Sequence, residues 1–377
     1  TPLLSAPHAA DDGAGRPRGP RRLRLSLVAS TTEGIVAEAV TAFSGGAVLT
    51  AWALYLGCTP WIVGILAAMP YVAQLVQLPA AWITSVAGPR RTALLAVTLS
   101  RQVLLPLIPL PFLPVSDGVK QSVLVVVALA SAVLGVIGNN AWVAWMGELV
   151  PAALRGRYFG RRTALCTFGG SLAALGAGVA LDGGKLSGLG GPTLAVLAAL
   201  ACLCGAVTTW LMSRQADVDG RAREPFDVGA ALRPFTDPAA RPVLLYQAMW
   251  NAAIGVSAAF YALHMVQNLG MGFALMALHG VGAAASRVLA GPLWGKAIDR
   301  FGATPVLLAC SFGIFFIPLI WLLPTADFLW PLVLEAVLSG VPWSGHAVAA
   351  FALPLAVVPR RGDRSFSMAL VTHHAIA

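Results

Sequence analysis

Ionisable and strongly polar side chains are scarce inside the long apolar runs of this chain, so each one is a candidate for chemistry. Glu38, Glu335 and His346 change charge when they gain or lose a proton, the imidazole close to neutral pH. A charge at the centre of a bilayer costs on the order of 3 kcal/mol or more, so such groups usually face a cavity or a partner. Asn139, Asn140, Gln247, Asn251 and His264 add hydrogen-bonding groups, and Trp343 adds a ring face. That set is suited to holding and releasing a small molecule together with a proton, not to making bonds.

Each residue also has a plainer reading. Glu38 follows Glu33 by little more than a turn and could reach water at the membrane edge. Glu335 falls in the outer third of its segment. His346 could serve as a helix-to-helix hydrogen-bond partner. The amides of Asn139 and Asn140 can bind a solute or bridge helices. Trp142, Trp145 and Trp343 could pack or anchor at an interface. Arg101 is expected to pair with an acid or to snorkel, and Arg287 to make a structural pair.

Metal and covalent chemistry have little to stand on. Cys58, Cys166, Cys202, Cys204 and Cys310 lie mostly in apolar runs, and Cys202-x-Cys204 has no His or acid beside it. His373-His374 lacks a third ligand. No Gly-x-x-x-x-Gly-Lys-Ser/Thr loop for a nucleotide is found, nor the paired acids of lipid-head transferases. The reading is therefore not an enzyme, with no cofactor and no metal.

The elements that must position these residues follow from composition. Hydrophobic residues make up 58% of the 377 and charged residues 11%, with a mean hydropathy of +0.77. A soluble domain carries about 25% charged residues, so lipid is the solvent here. In lipid the backbone must satisfy its own hydrogen bonds, and the runs lack the alternation of a barrel, so they are helices. The pattern predicts spans at about 34–57, 61–86, 92–113, 121–146, 163–182, 193–213, 241–269, 272–295, 305–324 and 327–358. An eleventh is expected to start near Ser365, with the sequence ending inside it.

The net charge of +9 would suggest nucleic acid in a soluble protein. Here Lys and Arg crowd into alternate breaks, such as Arg90-Arg91, Arg155 to Arg162 and Arg360 to Arg364, while the other breaks hold only Lys120 and Lys185. The positive-inside rule then puts the N-terminus and the arginine-rich breaks in the cytoplasm, and no nucleic-acid partner is expected. Residues 1–30 read as a disordered basic tail. Residues 214–240, the longest break and the one of mixed charge, read as a linker. The expected units are a six-helix bundle over 31–213 and an incomplete second bundle over 241–377.

The two bundles echo each other. Leu78 to Arg91 ends the second predicted helix and Gly291 to Gly302 the eighth, with Gly88 answering Gly302. Val150-Pro151 followed by Arg157 is answered by Val358-Pro359 followed by Arg364. Both offsets are roughly 210 residues, as expected of two related halves.

Gly295-x-x-x-Asp299-Arg300-x-Gly302 resembles the signature loop of the major facilitator superfamily. Glu148-Leu149-Val150-Pro151 with Arg155, Gly156 and Arg157 resembles the loop after its fourth helix. The N-terminal copy of the signature is degraded, with Ala81 and Ser85 in place of Gly and Asp, leaving Gly88, Arg90 and Arg91. The resemblance implies an all-α polytopic membrane protein of two pseudo-symmetric six-helix bundles, with 10 or 11 of twelve helices present and the C-terminus truncated. It implies a cavity between the first, fourth, seventh and tenth helices, which is where Glu38, Asn139, Asn140, Gln247, Asn251, His264, Glu335, Trp343 and His346 fall. It further implies a cytoplasmic gate at Gly88, Arg90, Arg91, Arg155, Arg157, Gly295, Asp299, Arg300 and Gly302.

Two signatures of drug antiporters are missing: an Arg in the first half of the fourth helix, and a Gly-Pro pair in the fifth. Gly170, Ala174 and Gly178 form a stripe of small residues instead, suited to helix packing. The expected function is secondary transport of a small molecule by alternating access, coupled to a proton or sodium ion, by a monomer in the cytoplasmic membrane. The competing reading is a facilitator-fold protein that no longer transports and acts as a sensor or pigment-assembly factor.

Overall fold

A computed structural model describes residues 20–151, 154–217 and 240–357, with a few positions between 229 and 238. Ten helices among the described residues are long and apolar enough to cross a membrane: Arg21–Tyr55, Pro60–Ala87, Pro89–Phe112, Asp117–Leu149, Tyr158–Leu186, Gly190–Ser213, Ala240–Gln267, Phe273–Phe301, Ala303–Ile320 and Trp330–Ala350. They are referred to as the first to tenth spans. The one piece of β pairing described is an isolated bridge between Thr325 and Phe328. The eleventh helix expected near Ser365 lies outside the described residues.

The punctuation of the helices follows from their sequence. Gly45 and Gly46 break the first span, Gly46 at φ 48°, a left-handed conformation that glycine reaches without steric cost. Pro70 lies within the second span, and a 3₁₀ turn follows at Gln74–Val76, as expected where proline removes a backbone donor. The third span stops being α-helical at Gln102 and continues as 3₁₀ turns at Leu105–Leu107 and Leu110–Phe112, each with proline inside.

The first helix begins at Pro20, so the assignment of 20–30 to a tail is corrected; residues 1–19 lie outside the described residues. Arg21, Arg22 and Arg24 make this stretch look like a solvated arm. Pro20 suits a first helical turn, and the interspersed Leu23, Leu25, Leu27 and Val28 continue the apolar run. The correction moves Glu33 from the edge of the helix to well inside it. At 1.5 Å per residue it stands about 18 Å from Arg21 along the axis.

Two groups of helices result. In the first, the first span packs on the fifth and sixth, and the third on the fourth. Its largest core is built from residues such as Trp52, Leu66, Leu110 and Leu194. In the second group, the tenth span packs on the eighth and ninth, around Val306, Leu307, Cys310 and Ala349. The start of the connecting segment is docked on the first group. Ala216 donates its N–H to Ser26 Oγ at 3.0 Å and accepts from Trp145 Nε1 at 3.1 Å.

Candidate functional site

The first span carries two carboxylates, and they have different fates. Glu33 is 3% exposed and anchors two arginines. Its Oε1 lies 3.3 Å from Arg101 Nη2 of the third span, and its Oε2 lies 3.4 Å from Arg162 Nη2 of the fifth. Arg162 also donates Nε–H to the Ser30 carbonyl at 3.3 Å, and its guanidinium lies 4.3 Å from the Trp142 ring centroid. One buried acid thus ties three helices, and the two positive charges are held by hydrogen bonds as well as by attraction. Glu38 is exposed to the space beside this cluster, where Arg162 attracts its carboxylate and Glu33 repels it.

Glycine lets the helices come this close. A Cβ on Gly34 would stand 2.5 Å from Arg162 Nη2 and 2.7 Å from Cys166 Sγ. One on Gly170 would stand 2.9 Å from Glu38 Cβ. The predicted stripe of small residues on the fifth span therefore serves two neighbours. Gly170 meets the first span, whereas a Cβ on Gly178 would stand 2.6 Å from the Phe273 carbonyl oxygen of the eighth.

A cavity of about 440 Å³ opens against this cluster, walled by Glu33, Glu38, Arg101, Asn139, Trp142 and Arg162 among others. All of its lining belongs to the first six spans. The asparagine pair is split. Asn139 is exposed in the cavity wall, whereas Asn140 donates to Gln77 Oε1 of the second span at 2.9 Å and bridges helices.

The C-terminal candidates form two further groups. Glu335 is buried, and its Oε2 is 2.6 Å from His279 Nε2 across the tenth and eighth spans. His346 is buried and bonds Tyr246 Oη at 2.8 Å, and its ring stacks on Trp250 with centroids 4.0 Å apart. Tyr246 also bonds Ser311 Oγ at 2.9 Å, so His346 belongs to a chain joining the seventh, ninth and tenth spans. Trp343 meets Trp250 edge-on at 5.9 Å and lies 5.7 Å under the Arg287 guanidinium. Gln247 holds a buried Oε1 without a hydrogen-bond partner. Asn251 is half-buried, and His264 meets Trp321 edge-on at 6.5 Å.

The gate loops of the two halves share a backbone design. Gly88 ends one helix and starts the next at φ 91°; Gly302 does the same at φ 85°. Around them the halves differ. Arg90 donates Nη2–H to the Ser213 carbonyl at 3.0 Å, lies 3.7 Å from Asp217 and 5.8 Å from the Trp145 ring centroid. Asp299 and Arg300 are exposed, with Arg300 lying 5.1 Å from the Phe301 ring centroid, while Gly295 is half-buried. Arg91 is exposed. The side chains of Arg155 and Arg157 lie outside the described residues.

The two halves meet away from the arginine-rich loops. Asp182, near the far end of the fifth span, accepts the backbone N–H groups of Phe273 at 2.8 Å and Ala274 at 2.9 Å. These are the first residues of the eighth span, whose free N–H groups and positive dipole end favour an anion. Nearby, the seventh span packs on the second, and a pocket of about 430 Å³ opens between the halves, lined by Ala67, Tyr261 and His279 among others.

Two helical groups, matching glycine turns and a polar cavity agree with one known family. A profile described as Major Facilitator Superfamily matches residues 34–372. The chain belongs to the Major Facilitator Superfamily. Solved structures agree in fold. The nucleoside transporter NupG, as a point mutant, superposes with a TM-score of 0.69 at 12% identity, covering 94% of this chain and 87% of that one. A D-xylose–proton symporter gives 0.64 at 13% identity, covering 94% and 87%. A bacterial homologue of the human lysosomal transporter Spinster, in an inward-facing occupied conformation, gives 0.65 at 16%, covering 95% and 79%. No curated protein matches the sequence.

This facilitator therefore brings its candidate residues together in three places. Glu38 and Asn139 share the cavity of the first half. Glu335 is held by His279, while Trp343 and His346 meet around Trp250. Sequence reasoning misses four participants. It takes Glu33 and Arg162 for edge and loop charges, because it places the helix ends too far in. His279 and Asp182 each stand in an apolar run, and that isolation is the available signal.

Proposed function

We propose that this member of the Major Facilitator Superfamily is a secondary transporter that moves a small molecule by alternating access, coupled to a proton. The observation that carries the reading is Glu38. It is a carboxylate in the middle of a membrane helix, facing a cavity and flanked by the Glu33–Arg101–Arg162 cluster. A titratable group there biases the protein between two states according to whether it holds a proton. The Glu335–His279 pair offers a second such position in the other half.

The arrangement of contacts supports a state closed at the Asp182 end. With the arginine-rich loops in the cytoplasm, as the positive-inside rule requires, that end is the outer one. Gly88, Arg90, Gly295, Asp299, Arg300 and Gly302 then form the inner gate, and the N-terminus is cytoplasmic. The working unit is a monomer in the cytoplasmic membrane, with residues 20–213 and 241–377 as bundles joined by a linker over 214–240.

The test is proton flux in liposomes holding an internal pH dye, screened against sugars, nucleosides, amino acids, organic acids and amphipathic drugs. A solute-dependent pH change that an uncoupler abolishes, and that Glu38→Gln removes, is the expected outcome. Solute flux without a pH change would transfer the coupling to sodium or to none. Absence of any flux would favour the non-transporting reading, with which the Ala81 and Ser85 departures agree.

A further inference from the structure

We infer that the cavity of the first half binds the carboxylate of a small organic acid beside Arg101 and Trp142, with one proton taken up on Glu38. The inference rests on the transporter reading and names its substrate class, but it concerns binding, which is measurable without flux.

Glu33 is fully committed, one oxygen to each arginine. Arg101 Nη1 and Trp142 Nε1 are both buried donors with no acceptor, and both residues wall the same cavity. A buried donor left unpaired costs about 1–3 kcal/mol, and more when charged. Two such donors beside one space call for a ligand that brings acceptors. A carboxylate brings two oxygens and accepts from a guanidinium with charge assistance.

Arg101 and Arg162 contribute two positive charges; Glu33 and Glu38 contribute two negative ones. With both acids ionised the cluster is neutral, and a bound anion would leave one uncompensated negative charge in the membrane. With Glu38 protonated the cluster is positive by one, and a monocarboxylate makes it neutral. Glu33 is held between both arginines, which leaves Glu38 to take the proton. The charged and titratable groups facing the cluster are Arg162 and Cys166 from the fifth span, Arg101 from the third, Cys204 from the sixth and Glu33 from its own helix. A phosphate carries about −1.5 to −2 charges and would overshoot what one proton balances. A neutral solute could fill the donors, but it would have no reason to bring a proton.

The experiment is calorimetric titration of the purified full-length protein with benzoate, benzamide, isobutyrate and isobutyramide, repeated in buffers of different ionisation heat. Both carboxylates should bind about tenfold or more tighter than their amides, with close to one proton taken up per ligand. Affinity should fall about tenfold per pH unit once Glu38 is ionised. Glu38→Gln should flatten that dependence and abolish the uptake. Arg101→Gln should erase the preference for acid over amide, which a purely structural role would leave intact while lowering Tm. Equal binding of acids and amides, no binding of any of the four, or proton uptake that persists in Glu38→Gln would each overturn the inference. Carboxylate binding without flux would sink the transporter reading alone; coupled flux of a neutral solute would sink this one alone.

Discussion

The carboxylate of Asp182 accepts the backbone N–H of Phe273 at 2.8 Å, a hydrogen bond that runs from one half of the molecule to the other. Its second oxygen takes the next N–H, of Ala274. The partner is main chain at a helix start, so the clasp depends on this acid and on the glycines that permit the approach.

Replacing Asp182 with Ala should loosen the clasp. Loss of an N-terminal cap costs about 0.5–2 kcal/mol, so the ratio of closed to open states at that end should fall by roughly 2- to 30-fold. Alkylation of a Cys introduced at Ala262, which lines the pocket between the halves, in a background without native cysteines, should speed up correspondingly. An unchanged rate would show that Asp182 holds nothing shut.

Gly178→Val should act at the same seam by sterics. Its Cβ would enter the space of the Phe273 carbonyl and Ala274. The expected outcome is the same shift towards an opening at that end, with Tm lowered by only a few degrees. Gly176→Val has no neighbour within 4 Å to strike and should leave both readouts unchanged.

Arg162→Met should destabilise by about 1.5–3 kcal/mol, because it removes one charge-assisted hydrogen bond to buried Glu33 while Arg101 remains as counter-ion. Thermal unfolding of the purified protein checks this. Arg162→Met combined with Glu33→Gln should cost less than the sum of the two single losses, since both remove the same contact. Additive losses would mean that the two side chains do not interact.

Tyr246→Phe removes one hydroxyl that bonds both Ser311 and His346. It should cost about 0.5–1.5 kcal/mol of stability, the net worth of a hydrogen bond, since Ser311 keeps its bond to the Leu307 carbonyl. Solute flux should persist. If flux disappears while Tm holds, His346 has a role beyond joining helices.

The spans are legible in the sequence because the need to satisfy the backbone in lipid leaves so few options. The pairing of Gly88 with Gly302 is legible too, since both positions require a left-handed backbone that favours glycine. The start of the first helix is not, because Arg21, Arg22 and Arg24 look solvated, although an arginine near a helix end can keep its head in water while its stem stays on the helix. That single error hides Glu33, and without Glu33 neither Arg101 nor Arg162 has a visible partner. The partnerships themselves span 68 and 129 positions; no local pattern encodes contacts at such separations. The clasp at Asp182 is hidden for a similar reason, its partner being backbone rather than a side chain with a recognisable type.

Those separations also bear on how the protein is made. Glu33 leaves the ribosome long before its counter-ions. Arg101 follows 68 residues later and Arg162 129 residues later. At a synthesis rate of about 5–20 residues per second, the first helix waits roughly 6–26 s before its second arginine exists. Until then it carries two acids with incomplete neutralisation, and it is poorly suited to resting alone in lipid. Only when the fifth helix arrives is the three-helix tie through Glu33 complete.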